Sequence, residues 1–166
     1  MEQAAVVAIM MGSETDRPLM TVASDTLTAL GIRHEVAVVS AHRSTSHMRE
    51  YVDAATRRGV KCFICGAGMS AALPGVVAAE TTLPVIGVPL GGSALSGVDA
   101  LYSIVQMPGG IPVATMAIGS AGAKNAAILA ARILALGDPE LAARVTEHRA
   151  KMSVAPVVEI YGGDAQ

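Results

Sequence analysis

His42 and Arg43 stand side by side in a short polar segment, Ser40-Ala41-His42-Arg43, that closes an apolar run at residues 35–39. An imidazole titrates near neutral pH and shuttles protons. A guanidinium can fork two hydrogen bonds onto a phosphate. Two further apolar runs end in loops of related character. Residues 6–11 lead into Gly12-Ser13-Glu14-Thr15-Asp16, where Ser13 can donate to an anion and Asp16 can accept from ribose hydroxyls or cap the next helix. Residues 60–65 open into Gly66-Ala67-Gly68-Met69-Ser70. The glycines there would let backbone approach a small flat ligand, and Met69, Ala71, Ala72 and Leu73 would form an apolar wall. Ligands of open parallel sheets sit beyond the carboxyl ends of the strands. If the three runs are neighbouring strands, their loops converge on one crevice suited to a phosphorylated small molecule.

Other chemistries fit less well. Gly66-Ala67-Gly68-Met69-Ser70-Ala71 matches G-x-G-x-x-A, yet no Asp or Glu falls between residues 81 and 98 to hold a ribose. That disfavours a dinucleotide oxidoreductase. The first loop lacks the Gly-Lys-Ser/Thr of a Walker A motif. His34, His47 and His148 fall on predicted strand or helix surfaces, and no pair has metal-ligand spacing with a supporting carboxylate, so no metal is expected. Cys62 and Cys65 sit three apart in a predicted strand and face opposite sides of the sheet, which makes them buried thiols rather than a zinc or redox pair.

Apolar runs alternate with helical patterns, the rhythm of a parallel sheet covered on both faces. A first helix is expected from near Asp16 to Gly31, a second over 44–58, and a short third from beyond Gly68 to about Glu80. Strands follow at 84–88 and 112–118, separated by Gly91-Gly92-Ser93 and a helix near 98–107. Residues 121–136 form an Ala-rich helix whose small side chains admit close approach of another helix. Asp138-Pro139-Glu140 reads as N-cap, N1 proline and first-turn acid of one more. This last helix could pack on a neighbouring subunit. In the tail at 154–166, Val157, Val158, Ile160 and Tyr161 suggest docking. The expected organisation is one α/β domain over 1–166, with a core at about 5–137 and a C-terminal helix and tail at 138–166.

Composition narrows the partners. A net charge of −2 gives no basic surface for nucleic acid or anionic membrane. The chain is 52% hydrophobic but only 2% aromatic, so small aliphatics dominate. Between residues 81 and 123 the only charged side chain is Asp99. Such a length predicts burial between subunits. Prolines and glycines interrupt it before a membrane span could form. No secretory pattern is seen, so the cytoplasm is the expected compartment.

With these residues assembled, the chain resembles the N5-carboxyaminoimidazole ribonucleotide mutase family of bacterial purine synthesis. The resemblance runs from about residue 6 to 136. It rests on Met11-Gly12-Ser13 with Asp16, Ser40-Ala41-His42-Arg43, Gly66-Ala67-Gly68 and Leu83-Pro84-Val85-Ile86-Gly87-Val88-Pro89. Ser93-Ala94-Leu95-Ser96-Gly97 and Tyr102 through Pro108 extend it. Arg43 resembles the mutase class, since related carboxylases that use free carbon dioxide carry lysine there. The resemblance implies a three-layer flavodoxin-like fold with helices on both faces, assembled as an octamer. It implies that Ser13, Asp16 and Arg43 hold the ribonucleotide and that His42 is the acid/base. Ser40, Gly68, Met69 and Ser70 are further expected contacts, the 66–70 and 93–97 segments would close the pocket, and neither metal nor ATP is required. One departure stands out. The family's Gly-Ala-Gly-Gly-Ala-Ala-His-Leu-Pro-Gly appears here with Met69 in place of a glycine and Ala72 in place of the histidine. Besides the mutase, two readings stay open: a carboxylase or decarboxylase of another aromatic ribonucleotide, and a non-catalytic nucleotide-binding module.

Overall fold

The computed structural model describes residues 5–153 and 155–158. Five strands, β1 (Val7–Met11), β2 (His34–Val38), β3 (Cys62–Gly68), β4 (Val85–Leu90) and β5 (Ala114–Thr115), form one sheet in the order β2-β1-β3-β4-β5. Every pair is parallel. Helices α1 (Arg17–Ala29), α2 (Thr45–Arg58), α3 (Ala72–Glu80), α4 (Val98–Val105), α5 (Ser120–Ala135) and α6 (Pro139–Lys151) complete the chain. This strand order, with helices on both faces, is the flavodoxin-like arrangement.

The period-2 alternation of the strands sorts the core into two layers. Val7, Ile9 and Met11 of β1 join Cys62 and Ile64 of β3 against α1 and α5. Ala8 and Met10 join Phe63 and Cys65 on the other face, against α2, α3 and α4. Cys62 and Cys65 therefore lie in different layers, both buried and free. Burial pushes the Cys62 thiol up to about 12 and that of Cys65 upward as well. Both are inert packing groups.

Alanine lets the layers close. Ala123, Ala126, Ala127, Ala130 and Ala131 of α5 are fully buried in the layer shared with Met20, Ala23 and Leu27 of α1. At the head of α5, Gly122 sits so close to Ala117 that an added Cβ would run into the Ala117 carbonyl oxygen. Asp138 caps α6 as expected, its carboxylate accepting from the Leu141 amide at 3.0 Å. α6 packs back on its own chain. Leu141 is buried in the core, and Arg144 Nε donates to the Leu30 carbonyl at 3.0 Å. Among the described residues no helix is long and apolar enough to cross a membrane.

Several boundaries differ from the sequence reading. β3 continues through Gly68, so Gly66 is a strand residue paired with Met11 and Val88 rather than part of a loop. A Cβ on Gly66 would strike the Met20 thioether, so this glycine makes room for the core and not for a ligand. β4 likewise extends to Leu90. The expected strand at 112–118 contracts to Ala114–Thr115. Beyond it, single bonds from Met116 N to Gly87 O and from Gly119 N to Pro89 O continue along β4 without a regular ladder. α1 begins at Arg17, after a 3-10 turn over Glu14–Asp16. Val157 and Val158 are exposed rather than docked, and Ile160 and Tyr161 lie outside the described residues.

The contact at the head of α5 is testable. Gly122→Ala must displace backbone and should lower stability by about 1–3 kcal/mol. Gly109→Ala, where an added Cβ meets nothing within 4 Å, should stay within about 0.5 kcal/mol of wild type. Urea denaturation of the two variants checks the contrast.

Candidate functional site

β1 and β3 are adjacent, but the chain leaves β1 for α1 on one face and β3 for α3 on the other. The strand ends must part there, and a crevice opens at the switch point. A pocket of about 670 Å³ fills it, bounded by segments following β1, β2, β3 and β4. Ser13 and Asp16 come from the first, Ser40, His42 and Arg43 from the second, and Met69 from the third, next to Gly68 at the end of β3 itself. The expected convergence therefore occurs for seven of the eight residues singled out. Ser70 is exposed next to Met69 and does not line the pocket.

Local bonds shape each loop. Ser13 Oγ accepts from the Thr15 amide at 3.3 Å and from Thr15 Oγ1 at 2.9 Å, which caps the 3-10 turn. With Ser13 in that role, Asp16 makes no side-chain cap bond. Its carboxylate lines the pocket instead of capping α1. Burial raises the Asp16 pKa, opposed in part by a hydrogen bond from the Ser13 backbone. Glu14 does not compete for ligands, because Arg17 binds it through Nε at 2.5 Å and Nη2 at 2.8 Å.

In the second loop, Ser40 Oγ accepts from the Arg43 amide at 3.2 Å. The Arg43 guanidinium reaches across to the Gly12 carbonyl, with Nη2 at 3.5 Å, and so bridges the first two loops. His42 is exposed at the pocket wall. α1 and α2 both begin at this end of the sheet, so their positive dipole ends favour an anion here. The pocket combines a guanidinium, hydroxyls, a carboxylate and an imidazole.

The remaining histidines separate. His34 is committed to structure: Nδ1 donates to the Ile32 carbonyl at 2.9 Å, which leaves Nε2 to accept from Ser24 Oγ at 2.7 Å. His47, read from sequence as helix surface, lines a shallow depression shared with Ser13, Arg43 and Ser44. Its place one turn into α2, after the Arg43 loop, was the available signal. Gly91 and Gly92 also line the main pocket and were reachable from the strand-end rule applied to β4. A larger cleft of about 930 Å³ lies at the amino ends of β4 and β5. It lacks the strand-end loops, and its acids Asp53 and Glu80 are already paired with Arg57 and Arg49.

Sheet order and pocket together define a flavodoxin-like α/β protein with a ligand crevice at its topological switch point. The AIR carboxylase family model matches residues 6–155, and the chain belongs to that family. It is 54% identical over 144 residues to an N5-carboxyaminoimidazole ribonucleotide mutase of Bacillus subtilis, covering 87% of this chain and 89% of the relative. A protein of the same name from Brucella melitensis is 56% identical over 143 residues, covering 86% and 88%. The crystal structure of Treponema denticola PurE superposes with a TM-score of 0.80 at 32% identity, covering 87% of this chain and 89% of that one.

The raised pKa of Asp16 sets a pH-dependent expectation. A carboxyl whose folded pKa lies above its unfolded value removes stability as pH rises through that window. Asp16→Asn should therefore raise the melting temperature at pH 7, and the gain should fade as pH falls below the ordinary carboxylate value of about 4. Thermal scans across pH check it.

Proposed function

We propose that this enzyme is an isomerase of purine synthesis that moves a carboxylate from the exocyclic nitrogen to carbon 4 of 5-aminoimidazole ribonucleotide. The observation that carries this reading is the convergence of Ser13, Asp16, His42 and Arg43 on one strand-end pocket in a member of the AIR carboxylase family. In this reading Arg43, Ser13 and Ser40 hold the phosphate, and Asp16 accepts from the ribose hydroxyls.

The chemistry requires two proton movements. Protonation of the carbamate nitrogen breaks the nitrogen–carboxyl bond and releases carbon dioxide with the free aminoimidazole. Carbon 4 of that electron-rich ring attacks the same carbon dioxide, and a carbon–carbon bond forms. A base then removes the carbon 4 proton and restores the aromatic ring. His42 donates the first proton and collects the second, so one imidazole ends as it began. No metal or cofactor enters this sequence. The apolar wall keeps the released carbon dioxide near carbon 4.

The same reading takes the working enzyme to be a cytoplasmic homo-octamer. The exposure of Leu95, Val98, Tyr102 and Val105 supports extensive self-association. Asp99, the one charge between residues 81 and 123, accepts from Ser93 Oγ at 2.9 Å within its own chain. Light scattering coupled to gel filtration should give the mass of eight chains, and a monomer would refute the assembly.

Following interconversion of the two carboxylated aminoimidazole ribonucleotides tests the reaction. Wild type should turn over, and His42→Asn should lose at least about 100-fold in kcat, the usual worth of a positioned acid/base. Ribonucleotide affinity should change little. Absence of turnover at high wild-type concentration would overturn the mutase reading, and an active His42→Asn would remove His42 from the mechanism.

A further inference from the structure

The pocket divides by chemistry. The segments after β1 and β2 supply all of its hydroxyl, carboxylate, imidazole and guanidinium groups. Those after β3 and β4 line it with glycines and alanines, with Leu73 and with Met69. Leu73 is fixed in the core at 2% exposure. Met69 is the opposite case: it is 66% exposed at the pocket, and it is the one long side chain on that half free to move.

Its backbone is unusual too. Met69 holds φ at 56°, in the left-handed region that side chains beyond glycine adopt at a cost. A thioether in water and a strained backbone are two local penalties at one residue, and neither improves packing in the free protein. Functional contacts are a recognised setting for such outliers. An unbranched thioether is also well matched to a flat ring, since it is flexible and sulfur packs favourably on aromatic edges and faces.

We infer that Met69 determines specificity for the heteroaromatic ring by folding over it once the ribose phosphate is anchored on the polar half. This rests on the ribonucleotide reading above and adds to it the group that recognises the base. Ala72 and Gly92 leave room for that movement, because neither carries a side chain beyond a methyl. Anchor and clamp are thus separate: Ser13 and Arg43 see the phosphate, and Met69 sees the ring.

Calorimetric titration with 5-aminoimidazole ribonucleotide and with ribose 5-phosphate separates the two. Met69→Gly should weaken the ribonucleotide about tenfold, the scale of one lost sulfur–ring contact. Ribose 5-phosphate, which has no ring to clamp, should bind Met69→Gly as it binds wild type. Met69→Leu, which keeps a long apolar side chain, should retain most of the ribonucleotide affinity. The melting temperature of unliganded Met69→Gly should be equal to or above wild type, because glycine relieves the left-handed backbone. Undiminished ribonucleotide binding by Met69→Gly overturns the proposal. So does an equal loss of both ligands in Met69→Gly and Met69→Leu, which would mark a purely structural role for the loop. A wild-type protein that binds the ribonucleotide no better than ribose 5-phosphate overturns the ribonucleotide reading itself.

Discussion

Everything at the site follows from the side-by-side parallel pairing of β1 and β3. Register is fixed from Val7 opposite Cys62 to Met11 opposite Gly66, and every residue of that paired stretch is buried. Because their crossovers leave toward opposite faces, no helix can cover the junction of their carboxyl ends. The gap is a topological necessity, and the loops on either side of it inherit the role of filling it. Gly66 contributes by yielding space to Met20 beneath the floor of the gap. Core packing and site geometry are therefore coupled at one residue pair.

Much of this was legible in the chain. The alternation in β1 and β3 assigns each residue to a face, and it places Cys62 and Cys65 on opposite ones without any further information. Asp138-Pro139-Glu140 announces a helix start through local chemistry alone, and the cap bond to Leu141 is there. Where the reading fell short, longer-range contacts decided. Glycine at Gly66 reads as a loop marker in sequence, but a glycine also sits in a strand where a neighbouring layer leaves no room for a Cβ. The short β5 was hidden because apolar composition at 112–118 does not reveal that only Ala114 and Thr115 pair regularly. Asp16 offered two uses in the sequence, and the folded chain shows that its side chain makes no cap bond to α1.

The two polar loops are also joined before any ligand arrives. At 3.5 Å the Arg43 guanidinium lies at the outer reach of a hydrogen bond to the Gly12 carbonyl, so it links the two loops while its side chain stays exposed. Met69 lies across the pocket from this link, exposed on the apolar half.

The alanine stripe of α5 carries a consequence for how the protein assembles itself. Alanine has the highest helix propensity and loses no side-chain rotamers on burial. α5 can thus acquire helical structure locally and cheaply. Its docking partner α1, however, lies about a hundred residues earlier in the chain, and closing so long a loop is slow. The seal over β1 and β3 on that face consequently joins segments from opposite ends of the chain. Until α5 has been synthesised, that face of the strands framing the crevice lacks the second of its two covering helices.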